Sequence, residues 1–597
     1  MKFPYGISDF YQVRTENYFY VDRTHLLPVV EDVGKQLLFL RPRRFGKSLW
    51  LSVLENYYDV AKADEFDRLF GDLAIGQNPT PLHNRYFVLK WDFSTVEVGR
   101  DAQTTKRSLY NHINTQLHAF TVKYQKLLSI PSIINPDDAL ASFAALLTTI
   151  RETPYKLYLL IDEYDNFINE VLMASREQGR ARYAELVQGE GIFKTLFKNV
   201  KAAAAGQGLD RVFITGVSPI VIADMSSGYN VATDIYQRPA FNALCGFTEA
   251  EIGTILARMG AEGAVDPAQV VETQQLMRTF YNGYRFSART DELMYNPTLV
   301  LYFLDALQRE GQPPDEMLDS NLTMDRTRIV YISQLRGAED LIETALAEQP
   351  PLSVSTLAYR FGVAEMLESD KSRDFLIALL YYFGVLTLAG RNEEGKLSLK
   401  IPNLVIRRLY AERLRELVLP GGHNRDAAQA AAEALYQQGE LQPLCDLLEQ
   451  KILRVLDNRD YKHANELTIK LAFLSLLFED HFFIVDSELV LDRRYADLLL
   501  LIRPEMRQYK LLDILLEFKY LKRSESGLDV ESLRHKPQAE LVQLPAVQEK
   551  LAEARAQLQR YRTALIARYG ARLRLRTFAV VALGFERLVW VEVLPTA

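Results

Sequence analysis

Short apolar runs alternate with helical stretches through residues 1–247, a pattern typical of a mostly parallel α/β sheet. Three of these runs predict buried strands, at Gln36–Leu40, Leu157–Ile161 and Val212–Thr215. Each run ends at polar or glycine-containing sequence. Because the carboxyl edge of a parallel sheet holds its ligand-binding loops, we expect a site at that edge.

The pattern becomes helical from Thr248, and residues 248–325 are interpreted as a helical lid. Residues 326–440 also read as helical, with one interruption. There a dense apolar helix at 374–388 runs into a strand, a turn at 390–396 and an alternating strand at 397–401. Helices followed by a small hairpin suggest a winged-helix-like module, and the Gly-Gly-His-Asn-Arg-Asp stretch at 421–426 is interpreted as a linker.

Residues 441–597 predict a separate α/β unit. The expected helices lie at 464–479 and 546–569, and the expected strands near 482–489, 495–502, 511–519, 575–583 and 587–594. The fold class is therefore α/β multidomain, with a parallel sheet, a lid, a helical middle region and a C-terminal α/β domain.

Composition narrows the class of protein only a little. The chain has 597 residues, a net charge of −7 and an apolar content of 48%, which is ordinary for a globular protein. This charge balance gives no hint of nucleic acid, so such a site would have to be a local patch. Two distant cysteines cannot build a disulfide framework, and neither a signal peptide nor a run of 18 apolar residues is found. We expect a cytoplasmic protein with no membrane partner.

A candidate phosphate loop follows the first predicted strand, in the sequence Arg41–Ser48. Glycine before Lys-Ser at a strand-to-helix turn lets successive N–H groups point at phosphate oxygens. Lys47 can neutralise the β and γ phosphates of ATP, and the Ser48 hydroxyl can ligate Mg²⁺. The cofactor-binding set is completed by Arg44, Phe45 and Gly46. The general P-loop pattern has glycine where this chain has Arg41.

Two acidic residues follow the second predicted strand directly. Asp162 is expected to hold Mg²⁺ and Glu163 to polarise the attacking water. Asp165 is expected to cap the next helix. The third strand ends at Ser218, which either senses the γ phosphate or is a simple turn residue.

A second constellation lies near the C-terminus. In Glu517-Phe518-Lys519 the two charged side chains alternate onto one face of a strand, and Asp497 opens the preceding strand. Two carboxylates can bind Mg²⁺ while the lysine stabilises charge on a scissile phosphate. Glu466, at the start of a helix, is a third candidate metal ligand. The alternative is a cross-strand ion pair on a solvated face.

The long C-terminal helix brings further candidates to this constellation. Gln557 sits at the margin of its apolar stripe and could look into the site. Seven arginines make this end locally basic, which could suit a phosphate backbone or simply form a solvated helix face, at positions 555, 560, 562, 568, 572, 574 and 576.

Both ends of the chain resemble a known architecture. The N-terminal half resembles the AAA-ATPase-like family of prokaryotic P-loop proteins, through Tyr20–Thr24, Arg41–Ser48, Leu160–Asp165, Thr215–Ser218, Leu244–Glu249, Tyr281–Phe286 and Tyr295–Pro297. The C-terminal part resembles the PD-(D/E)xK nuclease-superfamily domain commonly fused to it, through Tyr495–Asp497 and Glu517–Lys519 with Glu466 and Gln557. Arg41 fits this family's version of the loop, whereas Ala496 stands where the nuclease pattern usually has proline.

The resemblance implies an ATPase whose P-loop domain, lid and winged helix change their packing with nucleotide state. It also implies a Mg²⁺-dependent nuclease (a hydrolase acting on nucleic acid, with DNA favoured over RNA), and many such fusions are associated with anti-phage defence or mobile elements. A homo-oligomer is left open, because ATPases of this kind often complete their site across a subunit interface. Arg285 and Arg238 are candidates for an arginine finger.

Two functions from different classes follow from these observations. The first is an ATP-controlled nuclease with catalytic residues Glu163, Asp497, Glu517, Lys519 and Gln557. The second is a nucleotide-switched interaction or oligomerisation protein whose nuclease fold is inactive. The hypothesis of a processive motor has less support, because neither a second P-loop nor a set of helicase motifs is found in the sequence.

Overall fold

Contacts divide the chain into two units. The first comprises Met1–Pro313, Thr323–Leu341 and Pro351–Asn403, and the second Pro314–Leu322, Ile342–Pro350 and Leu404–Ala597. The computed structural model describes residues 1–97, 101–128, 134–166, 191–219, 232–319, 338–347, 351–358, 372–419, 422–453, 465–486, 490–491 and 494–595. No helix within these ranges is long and apolar enough to cross a membrane.

A parallel sheet forms the centre of the first unit. Its strands in the described residues are β1 (Gln36–Leu40), β2 (Tyr86–Asp92), β3 (Lys156–Asp162), β4 (Leu209–Gly216) and β5 (Thr233–Asp234). They lie in the order β2-β3-β4-β1-β5 and all pairs are parallel. The three predicted strands are confirmed as β1, β3 and β4. Since β4 lies between β1 and β3, the loops that follow these strands meet at one edge of the sheet.

Helices surround this sheet and continue beyond it. Those described for the first unit up to residue 310 are α1 (Phe10–Thr15), α2 (Leu27–Val33), α3 (Lys47–Tyr58), α4 (Phe66–Phe70), α5 (Ala74–Gln77), α6 (Ala102–Lys123), α7 (Ala139–Arg151), α8 (Ile192–Ala204), α9 (Glu249–Ala261), α10 (Val270–Tyr281) and α11 (Pro297–Glu310). The predicted helices at 248 and 298 are confirmed as α9 and α11. Local sequence explains both starts: Thr248 and Glu251 form a capping box, and Asn296 caps α11 before Pro297.

A small antiparallel sheet follows in the first unit. Helix α12 (Ala338–Ala347) contains residues of both units, and β6 (Leu352–Val354) and α13 (Arg373–Tyr382) come next. The predicted hairpin is confirmed as β7 (Thr387–Arg391) and β8 (Leu397–Lys400), which pair in the order β6-β8-β7. Its turn closes because the Asn392 N–H donates to the carbonyl oxygen of Lys396 at 2.9 Å.

A mixed sheet forms the centre of the second unit. Its strands, in the order β15-β14-β13-β12-β9 among the described residues, are β9 (Phe483–Asp486), β12 (Leu498–Ile502), β13 (Asp513–Leu521), β14 (Leu575–Leu583) and β15 (Arg587–Glu592). A separate short pair is β10 (Val490–Leu491) and β11 (Arg494–Tyr495). Strands β13 and β14 are parallel and the other pairs of the large sheet are antiparallel.

Helices pack on the second sheet. Those described are α14 (Leu404–Val418), α15 (Gly422–Gln438), α16 (Gln442–Leu447), α17 (Glu466–Leu477), α18 (Val530–His535), α19 (Gln538–Leu541) and α20 (Pro545–Tyr569). Leu515 and Leu521 of β13 share a core with α20, whereas Phe518 packs against Phe473 of α17 with ring centres 4.8 Å apart. Glu517 and Lys519 alternate with Phe518, so the period-2 prediction places them on the α20 side.

The interpretation of residues 421–426 as a linker was wrong. Gly422 already begins α15, a helix of 17 residues. The linker interpretation was based on the two glycines at the start of this stretch. The alanine-rich sequence that follows them has a high intrinsic helix propensity, which favours a helix instead. Packing decides the outcome, since Leu435 and Tyr436 on this helix are buried.

Candidate functional site

The loop after β1 has the backbone needed to present N–H groups to an anion. Arg44 and Gly46 have φ angles of 60° and 87°, and Gly46 is the N-cap of α3. Glycine adopts this left-handed conformation without a steric cost. Ser48 lies half-buried in the first turn of α3, at the same helix N-terminus.

Lys47 is buried within this loop. Its ammonium donates to the carbonyl oxygens of Arg41 at 3.1 Å and Pro42 at 3.0 Å. Burial lowers the pKa of Lys47, and the nearby carboxylates of Glu163 and Asp162 offset only part of that effect. Lys47 is therefore a buried cation whose direct contacts are neutral oxygens, an arrangement that the oxygens of a phosphate would stabilise.

Arg41 occupies the expected glycine position and is 1% exposed. One terminal nitrogen donates to the carbonyl oxygens of Leu40 and Tyr236, both at 2.8 Å, and the other to that of Phe241 at 2.7 Å. The guanidinium also lies over the rings of Phe39 and Phe286. Burial lowers the pKa of Arg41 to about 10. The arginine therefore anchors the start of the loop to segments about 200 residues later.

The rest of the loop is held by residues between 284 and 298. Phe45 is fully buried, with its ring edge-on to those of Tyr284 and Phe286 at 4.9 and 5.0 Å. The carbonyl oxygen of Arg44 accepts a hydrogen bond from the Thr298 hydroxyl at 2.9 Å. Arg44 also has a buried terminal nitrogen with no hydrogen-bond partner among the described residues.

The two acidic residues lie at the end of β3, as expected. The Thr215 hydroxyl of the adjacent strand β4 donates to Asp162. The N–H of Glu163 also donates to Asp162, at 3.1 Å, and Glu163 has a positive φ of 49°. Burial raises the pKa of Glu163, while Lys47 and Arg43 oppose the shift. The electrostatic influence of Glu163 on Lys47 places both at the same sheet edge.

Ser218 and Asp165 contact each other. The Ser218 N–H and hydroxyl donate to Asp165 at 2.8 and 2.9 Å, and the Val217 N–H donates to it at 3.1 Å. Asp165 therefore binds the turn after β4, and the helix it was expected to cap lies outside the described residues. A direct contact of Ser218 with phosphate stays a prediction.

A pocket of about 640 Å³ adjoins the phosphate loop. Phe45 and Gly46 line one side, and the other walls come from the N-terminal segment, the turn before α9, and helices α3 and α11. Its lining is mainly apolar and includes Trp50 and Phe19. Sequence analysis missed this pocket, because its walls come from four distant parts of the chain.

The second constellation assembles around Lys519, which is 8% exposed. Its ammonium donates to Glu517 at 3.0 Å, to the Phe518 carbonyl oxygen at 2.8 Å and to Glu466 at 3.4 Å. Asp497 accepts a hydrogen bond from the Phe518 N–H at 2.8 Å. Since Leu498 pairs with Leu516, the register places Asp497 opposite Glu517.

The charged side chains in this cluster shift one another's pKa values. Burial, followed by the repulsion of Asp497, raises the pKa of Glu517 to about 8 despite the nearby Lys519. Burial also raises the pKa of Glu466. Burial lowers the pKa of Lys519, but Glu517, Glu466 and Asp497 more than offset this effect, so the net shift is upward. One Glu517 oxygen is buried with no hydrogen-bond partner among the described residues.

The expected set of three metal-ligating carboxylates is not assembled. Across the described residues, no three His, Cys, Asp or Glu side chains are arranged to hold a metal ion. The reason is that Lys519 contacts Glu466 and Glu517, while Asp497 is bonded to the backbone. One Glu517 oxygen is nevertheless left without a hydrogen-bond partner among the described residues, and metal binding by Asp497 and Glu517 stays a prediction.

A role for Gln557 of helix α20 in this site stays a prediction. The Gln557 side-chain oxygen is buried with no hydrogen-bond partner in the described residues. Tyr561, one turn later, was not singled out from the sequence. Its pKa is raised by burial and then by the negative charge of Glu517 and Asp497, which places the phenol near the cluster. Helical spacing from Gln557 is the signal that could have identified it.

Several of the singled-out arginines serve the fold. Arg576 pairs with Glu592, and Arg562 donates to the Val593 carbonyl oxygen at 3.1 Å. These two guanidinium groups bind other groups of the protein, and a phosphate-binding role for the basic region stays a prediction. Of the arginine-finger candidates, Arg285 pairs with Asp291 at 3.1 Å, and exposed Arg238 donates to the Asp234 carbonyl oxygen at 3.2 Å.

Comparison with known proteins supports the N-terminal part of this description. Residues 4–226 match the AAA-ATPase-like family, described as a predicted AAA-ATPase, so this part of the chain carries an AAA-ATPase-like domain. An uncharacterized protein of the vnfD 5′ region in Azotobacter chroococcum mcd 1 is 25% identical over 431 residues, covering 70% of this chain and 71% of that protein.

Two solved structures also align with this chain. The Orc1 protein of Aeropyrum pernix, in a complex with DNA, is 12% identical and covers 66% of this chain and 93% of its own. Cdc6p of Pyrobaculum aerophilum is 14% identical, and its alignment covers 65% of this chain and 92% of its own. Both have a TM-score of 0.25, which is too low to support an argument about fold or function.

Proposed function

We propose that the chain binds ATP at the loop after β1 and hydrolyses it. The observation that carries this proposal is the state of Lys47, a buried cation held by two carbonyl oxygens beside Asp162 and Glu163. In this assignment Lys47 contacts the β and γ phosphates, and the N–H groups around Gly46 surround them. Glu163 orients the attacking water and accepts its proton, a role that its raised pKa supports.

The pocket beside Gly46 accommodates the nucleoside. It directly adjoins Gly46 of the loop and is open to solvent on one side, so a nucleotide whose phosphates lie at the loop could place its nucleoside there. Phe45 and Trp50 supply the apolar, aromatic surface that a base needs. Ser48 and Asp162 are the side chains that would hold Mg²⁺, which when bound would neutralise charge on the phosphates.

A second activity is proposed for the cluster at β12 and β13. There Asp497 and Glu517 would hold a Mg²⁺ ion that polarises a phosphodiester, and Lys519 would stabilise the charge that develops on it. Gln557 would help to orient the substrate. We propose that nucleotide state controls this cleavage and that DNA is the substrate, which would suit a role against foreign DNA.

The first experiment tests ATP chemistry. Lys47→Ala should lower the turnover number by roughly 10²–10³-fold and weaken nucleotide binding, whereas Glu163→Gln should bind ATP and fail to hydrolyse it. Lys156→Ala is the matched control, because this lysine begins β3 at the opposite end of the sheet and is 64% exposed. Equal turnover by wild type and Lys47→Ala would refute the assignment.

The second experiment tests cleavage. Purified full-length chain is incubated with single- and double-stranded DNA and RNA plus Mg²⁺, with and without ATP. Cleavage should disappear in Lys519→Ala and persist in Lys522→Ala, whose exposed lysine follows the same strand. Loss of cleavage in Lys47→Ala would support control by nucleotide.

A nucleotide-switched interaction protein is the second candidate function. The observation that favours it is that Lys519 already contacts both Glu517 and Glu466, and that the described residues contain no three-ligand metal group. On this alternative, ATP turnover is retained, none of the four nucleic acids is cut, and the assembly state changes with the bound nucleotide.

A further inference from the structure

Arg23 joins two walls of the pocket beside the phosphate loop. Its Nε donates to the Ala243 carbonyl oxygen at 2.7 Å, and one terminal nitrogen donates to that of Gly246 at 3.0 Å. Both terminal nitrogens contact the Glu251 carboxylate, one of them at 2.8 Å. This two-pronged pairing is the strongest geometry that an arginine and a carboxylate can form. We call these contacts the Arg23–Glu251 clasp.

The acidic side of the clasp is built into the start of α9. Glu251 also accepts a hydrogen bond from the Thr248 N–H at 2.8 Å, and the Thr248 hydroxyl accepts one from the Glu251 N–H at 3.3 Å. This capping box fixes the carboxylate on the first turn of the helix. A movement of α9 would therefore displace the carboxylate that Arg23 contacts.

The carbonyl side of the clasp is equally constrained. Gly246 has a φ of 96°, and a Cβ atom there would lie 2.9 Å from the Tyr295 carbonyl oxygen and 3.1 Å from the Phe45 ring. Only glycine fits this turn without strain. Its carbonyl oxygen, which Arg23 binds, thus lies in a turn packed against Phe45 of the phosphate loop.

Asp22, the residue before Arg23, fixes the segment that carries the basic side of the clasp. Asp22 accepts hydrogen bonds from the Thr24 N–H and the Ala74 N–H, both at 2.7 Å. The segment that carries Arg23 is therefore fixed to the body of the unit. This segment, with Phe19 and Val21, forms part of the pocket lining, and Leu244 and Phe247, from the segment that Arg23 contacts, form another part of it.

We propose that the Arg23–Glu251 clasp sets the rate at which nucleotide leaves the pocket. The proposal rests on the proposed function, because it assumes that a nucleoside lies between the two walls. The apolar walls hold the base by contact, and the clasp is a polar link that must break before they can separate. Arg23 is a positioning residue in this scheme, and the affected quantity is the dissociation rate.

The test measures release of a ribose-labelled fluorescent ATP from the full chain by stopped-flow displacement with unlabelled ATP. Arg23→Gln should release the nucleotide roughly tenfold faster, with association changed by less than about twofold, because losses of contact act mainly on dissociation. Glu251→Gln keeps the capping box, which accepts glutamine, and should accelerate release by about threefold. Arg23→Lys keeps the charge without the fork and should fall between wild type and Arg23→Gln.

Arg14→Gln is the matched control. Arg14 is similarly buried, donates to the Leu69 carbonyl oxygen at 3.0 Å and pairs with Asp72, but does not line the pocket. Its release rate should equal that of wild type. The proposed role of the clasp would be overturned if Arg14→Gln accelerated release as much as Arg23→Gln does. It would also be overturned if release were unchanged in both Arg23→Gln and Glu251→Gln.

The two proposals fail in different ways. If wild type does not bind the labelled ATP at all, the proposed function falls and the clasp falls with it. If wild type binds and the clasp variants release nucleotide at the wild-type rate, only the clasp is overturned. Thermal melting shows which variants are folded. If Arg23→Gln is not folded, the release rate of Glu251→Gln decides whether the clasp controls dissociation.

Discussion

Lys47 and Lys519 are both buried beside acidic side chains, yet their pKa values shift in opposite directions. Lys47 contacts two carbonyl oxygens, and burial lowers its pKa. Lys519 contacts two carboxylates, which together with Asp497 overcome burial and raise its pKa. The phosphate loop therefore holds a cation that an incoming anion would stabilise. The cluster in the second unit already contains the counter-charges of its lysine.

The same contrast extends to the groups around each lysine. Arg41, near Lys47, is also held by carbonyl oxygens and aromatic rings, and burial lowers its pKa to about 10. Glu517, beside Lys519, has its pKa raised to about 8 by burial and by Asp497. One site is short of negative charge and the other has an excess of it, so each favours a ligand of the opposite sign.

The largest expected effect comes from removing the second buried cation of the loop. Arg41→Gly should destabilise the first unit by roughly 3–5 kcal/mol, because three buried carbonyl oxygens lose their donor. Urea unfolding followed by the fluorescence of Trp50 and Trp91 measures this loss. Arg41→Lys should recover only part of it, and a fully stable Arg41→Gly would show that the loop does not need a buried cation.

The next effect separates the two lysines by function. Lys47→Ala should lower the ATP turnover number by roughly 10²–10³-fold, as expected for removal of a charge-stabilising donor. Lys519→Ala should leave turnover within about twofold. Steady-state phosphate release at saturating ATP measures both. A similar loss in the two variants would remove the proposed division of labour.

A smaller effect is expected from Glu517, as a dependence of stability on pH. Because its folded pKa of about 8 is above the usual 4.5, its stabilising contribution is complete below pH 4.5 and is lost as pH rises through 8. We expect wild type to lose stability relative to Glu517→Gln across this window. Trp590 fluorescence, in a background of Trp50→Phe and Trp91→Phe, reports unfolding of the second unit. A constant difference between the two proteins would contradict the raised pKa.

The smallest effect tests the source of that shift. Asp497→Asn keeps an acceptor for the Phe518 N–H but removes the charge that repels Glu517. The variant should therefore be more stable than wild type at pH 8, by about 1 kcal/mol. The same Trp590 assay applies. A less stable variant would mean that the negative charge of Asp497 supports the fold.

Local patterns predicted the elements that depend on neighbouring residues. The strand before Asp162, the helix that begins after Thr248 and the hairpin turn before Leu397 all follow from spacing of a few residues. Residues 421–426 were misread for the same reason, because turn-forming residues dominate a short window and helix packing does not appear in it.

The sequence by itself determined which side chains could carry the chemistry, namely a loop with Lys47, an acidic pair after a strand, and Glu517 with Lys519. Only the tertiary structure decided what each of them contacts. It gave Arg41 partners at Tyr236 and Phe241, placed the pocket between four distant segments, and put Lys519 against the carboxylates expected to hold a metal. The reason is physical: pKa, burial and ion pairing depend on groups that are close in space, and the sequence does not contain those distances.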